Sequence, residues 1–257
     1  MIIDDVHKVA FVHIPKCGGT SVRLQLAAID STCGRFYPVV DHPVLGKIHS
    51  SHIPLTFLRD QFLAEFEKIG RYQSFALIRE PISRFASATY QRLKGHHRIP
   101  TSDITPALAL QEAHLVIAWL ATRETFCDFD YVHFARQRDF VSVGERQIVG
   151  NLFALEDMTA FAAAIGGASG VVIDPERREN SNFASSNPLF RSLRRTLRPV
   201  YRRLTSWHFR QSILLRLKSS SESAQPLYKL FHQDRTIRTF IETYYAGDFE
   251  LYTDVRS

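Results

Sequence analysis

The stretch Val9-Ala10-Phe11-Val12-His13-Ile14-Pro15-Lys16-Cys17-Gly18-Gly19-Thr20-Ser21 constrains the fold more than any other part of the chain. Its first half is a compact apolar, β-rich run that reads as a buried strand, stopped by proline and a glycine pair. From Ser21 onward Val22, Leu26 and Ile29 recur at helical spacing, with Thr20 or Ser21 available as the N-cap. Strand, glycine loop and helix in that order direct backbone amides and a helix N-terminus at one point, an arrangement suited to an anion. The glycines are expected to let the backbone approach the ligand without a Cβ, while Thr20 and Ser21 offer hydroxyl donors. A loop built for nucleoside triphosphate hydrolysis carries its lysine after the glycines. Here Lys16 precedes them, which keeps the anion site and disfavours an NTPase.

The pattern repeats downstream. Ser74 to Ile78 is a second compact apolar strand, and Arg79-Glu80-Pro81 opens a helix with proline in its first turn, running to about Lys94. Between the two units, residues 56–69 form one helical segment, with Phe57, Phe62, Leu63, Phe66 and Ile69 on its apolar face. Pro106 to Phe126 reads as a long helix and Ile148 to Ala154 as a strand. Glu156 to Ile165 reads as a helix closed by Gly166-Gly167, and His232 to Tyr245 returns to a helical pattern. Such alternation predicts an α/β fold, a P-loop-like central parallel sheet flanked by helices, in a single domain over residues 1–257.

From about residue 180 to 226 the composition shifts to Ser, Asn and Arg, read as a basic helical insertion or appendage. The formal charge of +6 is concentrated there. Residues 188–218 hold nine cations and no acid; the rest of the chain has 23 Lys and Arg against 26 Asp and Glu. Leu189, Phe190, Leu193, Leu197, Val200, Tyr201 and Leu204 recur near helical spacing among the arginines. Such a segment either contacts an anionic membrane surface or a polyanion, or packs its apolar side on the core. Nucleic acid is not expected as a partner, because no recognition module accompanies the charge. Cys17, Cys33 and Cys127 fit neither a disulfide framework nor a zinc site. No apolar run reaches the length of a membrane span, and the N-terminus lacks the features of a signal peptide. A cytoplasmic, bacterial protein is expected, peripheral at the inner face of the membrane if the basic segment binds there.

A second constellation lies in Arg79-Glu80-Pro81-Ile82-Ser83-Arg84-Phe85-Ala86-Ser87-Ala88-Thr89-Tyr90. Arg79 leaves a strand end and Ser87 follows about two helical turns later, so both can reach one anion, with Arg84 available as a structural ion-pair residue. With this motif beside Phe11–Ser21, the chain resembles the sulfotransferases that use 3′-phosphoadenosine-5′-phosphosulfate (PAPS), in particular the carbohydrate group that includes heparan sulfate 2-O-sulfotransferase-like proteins. The first motif is similar to their 5′-phosphosulfate loop and the second to their 3′-phosphate motif. Residues 155–158 and 244–252 resemble further family elements.

The resemblance implies the sulfotransferase fold, with PAPS as donor and 3′-phosphoadenosine-5′-phosphate (PAP) as product. The implied acceptor is a hydroxyl on a glycan, polysaccharide or glycolipid. It assigns donor binding to Lys16, Cys17, Gly18, Gly19, Thr20, Ser21, Arg79 and Ser87. Family members usually carry Thr where this chain has Cys17, so that position offers its backbone amide.

Sulfuryl transfer to a hydroxyl needs a base, and histidine suits neutral pH. Ile48-His49-Ser50-Ser51-His52-Ile53 lies where the resembling enzymes carry a catalytic histidine. His52 fits that position best, His49 is second, and Lys16 is the catalytic cation at the leaving oxygen. His96-His97 has no spaced third ligand, so no metal is assigned. The rival readings are a nucleotide-dependent kinase-like phosphotransferase, which the lysine order disfavours, and a non-catalytic PAP- or PAPS-binding peripheral protein.

Overall fold

A computed structural model describes residues 1–177 and 225–257; the basic segment of residues 188–218 lies outside the described residues. Chain order begins with β1 (Ile2–Asp4) and β2 (Val9–Phe11), then α1 (Gly19–Gln25) and a hairpin of β3 (Val39–His42) and β4 (Gly46–His49). Helices α2 (Leu55–Gln61) and α3 (Leu63–Arg71) lead into β5 (Gln73–Ile78) and α4 (Pro81–Gln91), followed by α5 (Pro106–Leu120). The short α6 (Arg138–Val141) precedes β6 (Ser142–Val143), β7 (Arg146–Gln147) and β8 (Asn151–Ala154). After α7 (Met158–Ser169), the C-terminal part supplies α8 (Gln225–Gln233), α9 (Arg235–Tyr244) and α10 (Ala246–Asp254).

The central sheet has the order β1-β2-β5-β8. β2, β5 and β8 run parallel, with Phe11 level with Phe75, and Phe75 level with Asn151. β1 adds an antiparallel edge that the sequence reading did not foresee, because three residues are too few to show a period. Every residue of β2 and all but the first of β5 are buried, as expected for strands covered on both faces. Phe161 of α7 packs on Phe11 and Phe153 of the sheet, each at 5.8 Å between ring centroids. Behind α4, Phe85 gathers Phe134, Phe231 and Tyr245 into one aromatic cluster. The expected α/β architecture is therefore present.

Several local boundaries differ from expectation. The helix expected over residues 56–69 breaks at Phe62 (φ −144°, ψ 53°), where the ring packs against Phe36 and His42. Gly166 and Gly167 lie inside α7, and the helix closes instead at Gly170 (φ 70°), whose amide donates to Gly166 O. The pattern at 232–245 divides at Asp234, whose carboxylate caps α9 by accepting from the Ile237 amide. The long helix from Pro106 ends at Leu120 and the strand at β8 begins at Asn151. The hairpin β3-β4, which carries His49, was not visible as strands in the sequence.

Candidate active site

The loop after β2 turns through two left-handed residues, Lys16 (φ 66°) and Gly18 (φ 73°). Gly18 is the N-cap of α1, displacing Thr20 and Ser21 from the cap position expected for them, and no side chain caps the helix. Packing constrains Gly19 most, while Gly18 is favoured by its left-handed backbone. A Cβ at Gly19 would fall 2.1 Å from Cδ2 of His13, and one at Gly18 would fall 2.7 Å from Cδ1 of Leu155. The space beside the glycines is thus filled by the protein's own side chains, which press on the loop from behind. Cys17 points the same way: its buried thiol donates to Oε1 of Gln137 at 3.1 Å, and burial pushes its pKa up to about 12. Its side chain faces the interior and only its backbone belongs to the loop surface.

Across from the loop, α4 presents Ser83, Ser87 and Gln91, one row at the four-residue spacing that aligns helical side chains, and Arg79, just before the helix, continues the row through its bonds to Ser83. Two members of this row hold the loop. Arg79 Nη1 donates to Lys16 O at 3.1 Å, and Lys16 Nζ donates to Gln91 Oε1 at 2.5 Å. Ser83 Oγ accepts from Nε and Nη2 of Arg79, fixing the plane of the guanidinium. Ser87, half-buried in the middle of the row, has no protein hydrogen bond among the described residues. The helix start is anchored by Glu80, whose carboxylate accepts from the amides of Ile82 and Ser83. Burial, and then the neighbouring Arg79 charge, bring Lys16 down to a pKa of about 8.

The two motifs share a buried floor that sequence reasoning missed. Gln137, fully buried, accepts from the Arg79 amide and donates to the Arg79 carbonyl, at 2.9 and 2.8 Å, while also accepting from Cys17. Its own amide and that of Arg138 donate to the two oxygens of Asp248, at 2.8 and 2.9 Å. Asp248 in turn pairs with Arg84 Nη2 at 3.6 Å, both side chains being almost entirely buried. Arg84 is therefore the structural ion-pair residue considered from the sequence. The C-terminal segment that resembles a family element reaches the site by this route, since Asp248 lies in the first turn of α10 and Tyr245 donates to Phe134 O at 2.6 Å. A glutamine at residue 137 carries no sequence signal of such a role.

Four histidines converge near the loop, with His133 the one that feels the Lys16 charge. His52 stands 4.5 Å from His13 and 5.4 Å from His133 between ring centroids, and His49 lies 5.4 Å from His133 and 6.0 Å from His52. His49 stacks on Phe129 at 4.5 Å. His52 Nδ1–H donates to the His13 carbonyl at 3.1 Å, which leaves Nε2 with its lone pair. Burial, above all, holds His13, His52 and His133 well below the ordinary histidine range, so all three are neutral at pH 7. Nδ1 of His13 is buried with no partner.

The family model for the sulfotransferase family matches residues 1–253. The chain belongs to the sulfotransferase family. No curated protein and no solved structure matches it. The glycine loop follows β2 and Arg79 follows β5, the two joined by the Arg79–Lys16 bond, and His52 bonds the His13 carbonyl just after β2; these are the C-terminal ends of parallel strands, where open α/β sheets bind ligands. His96 and His97 are accounted for otherwise, by Asp130 and Glu112 at 3.2 Å each. Among the described residues no group of three or more His, Cys, Asp or Glu side chains is disposed to hold a metal. No helix there is long and apolar enough to cross a membrane.

Proposed function

We propose that this sulfotransferase transfers the sulfuryl group of PAPS to a hydroxyl of a carbohydrate acceptor, in the manner of the heparan sulfate 2-O-sulfotransferase-like group. The observation that carries the reading is the contact of the two motifs: Lys16 and Arg79, 63 residues apart, are joined by a direct hydrogen bond. Two cations and the unpartnered Ser87 hydroxyl then share one surface, which fits a donor with phosphates at both ends. Arg79 and Ser87 hold the 3′-phosphate. The backbone of Cys17, Gly18 and Gly19, with Thr20 and Ser21, holds the 5′-phosphate.

The donor supplies an activated sulfur: the acceptor oxygen bonds to it as its bond to the bridging phosphate oxygen breaks, and that oxygen leaves on PAP with the electron pair. Nε2 of His52 takes the acceptor proton, its tautomer set by the Nδ1 bond to His13 O. That bond favours His52 over His49, whose ring lies flat against Phe129. Lys16 supplies positive charge where the leaving oxygen becomes negative, held in place meanwhile by Gln91.

The test uses labelled PAPS against a panel of lipid-linked and capsular glycans, with PAP binding measured by calorimetry. Arg79→Ala is expected to weaken PAP binding by one to two decades, the loss of a charge-assisted contact of about 1.5 to 3 kcal/mol. His52→Ala should keep PAP binding and lose roughly 10² to 10⁴ in turnover. PAP binding without transfer to any glycan would leave a binding protein and end the enzymatic reading. Unchanged PAP affinity in folded Arg79→Ala would remove the 3′-phosphate role.

A further inference from the structure

His133 is a residue no motif singled out. It lies in the short turn Val132–Phe134, 81 residues from His52 in the chain, yet its ring stands equally far, 5.4 Å, from those of His49 and His52. Its backbone is clamped. Arg84 Nη1 donates to the His133 carbonyl at 3.1 Å, and Arg84 is itself fixed by Asp248. The ring is not clamped: it is half-buried, and its nitrogens have no hydrogen-bond partner among the described residues. The turn is held on both sides of it: after it, the Tyr245 hydroxyl donates to Phe134 O at 2.6 Å, and before it two contacts fix the chain. Asp128 Oδ1 accepts from the amides of Asp130 and Tyr131, and Tyr131 stacks on Trp119 at 3.9 Å. A rigid backbone therefore presents a neutral ring with an uncommitted N–H beside the reaction centre.

We infer that His133 is a further catalytic residue, whose ring N–H donates a hydrogen bond to a non-bridging oxygen of the sulfuryl group during transfer. The inference rests on the donor-site reading above. In that reading the base acts on one side of the sulfur and Lys16 on the other, so a group between them faces the oxygens spread around the sulfur in the transition state. His133 meets both conditions. It neighbours His52, and after burial the Lys16 ammonium is the influence that most depresses its basicity. A charged imidazolium beside Lys16 would be costly, whereas a neutral ring donates without adding charge. Donors preorganised toward oxygens that gain charge act in the transition state more than in the ground state.

The acceptor need not be known to test this. Orthovanadate added to the protein–PAP complex adopts five-coordinate geometry and stands in for the sulfuryl group in flight. Calorimetry should find PAP affinity in His133→Ala within about twofold of wild type and vanadate affinity in the PAP complex about 10- to 100-fold weaker, the effect of losing a bond to a charged group. His133→Asn and His133→Gln place an amide N–H near one or other ring nitrogen, and one of them should recover part of the loss. A merely structural role would not produce such rescue. Vanadate binding as tight in His133→Ala as in wild type overturns the inference and leaves the donor site standing, as does wild-type protein that binds PAP but not vanadate. Wild-type protein that fails to bind PAP overturns the donor-site reading and this inference with it.

Discussion

Lys16 illustrates how a single residue's environment sets its chemistry. Its left-handed backbone places the side chain against α4, where burial and Arg79 lower its pKa to about 8. A bound phosphate favours the ammonium, so the complex takes up protons relative to the free protein above that value. PAP affinity should hold level near pH 7 and fall as pH rises through about 8, and Lys16→Arg should remove the slope. Calorimetry from pH 7 to 9.5 checks this, and affinity that tightens with pH would place Lys16 away from the phosphates. The histidines shift in the sense that keeps their rings deprotonated. His52 stays neutral well below pH 6.5, so the acid limb of turnover should lie below the usual histidine range and activity should be lost only as pH falls through that depressed value.

At the scale of elements, α4 organises the site because its first turn is rigid. Pro81 pre-sets the backbone at the first helical position, and Glu80 accepts from two orphan amides directly after Arg79. Glu80→Ala should cost about 1 kcal/mol, a fall of roughly 2 to 4 °C in melting temperature for a chain of this size. It should also loosen Arg79 and Ser83 enough to weaken PAP binding. A lowered melting point with PAP affinity fully retained would show that the cap serves stability alone. The strand–helix unit of α4 was legible in the sequence because proline after a compact apolar run is a local signal. The break at Phe62 was not, since the ring's partners Phe36 and His42 are 20 and more residues away.

For the whole molecule, the helix that carries Asp248 is tied to both sequence motifs. Asp248 links α10 to Gln137, Gln137 to Arg79 and Cys17, and Arg84 to His133. Asp248→Asn would leave the Arg84 guanidinium, 1% exposed, without its counter-charge. Breaking a buried pair in this way costs about 3 to 5 kcal/mol. Chemical denaturation should show that loss, and the surviving folded protein should bind PAP more weakly because the amide clamp on Gln137 is weakened. Wild-type stability in this variant would mean that Arg84 finds another partner.

What the sequence determined by itself was local and chemical. The order of Lys16 before Gly18 and Gly19, the proline-led helix after Arg79, and the buried runs of β2 and β5 each lie within a dozen residues, where backbone sterics and apolar period leave a direct mark. Lys16, Arg79, Ser87 and His52 were singled out on those grounds and on family resemblance, and the fold brings Lys16 and Arg79 into contact. Tertiary structure alone decided that Gly19 makes room for His13, that the Cys17 thiol turns inward, and that Gln137 joins the two motifs. It also decided that His133 completes a cluster with His49 and His52. Each of these depends on packing between segments tens of residues apart, which the pattern of any one segment does not encode.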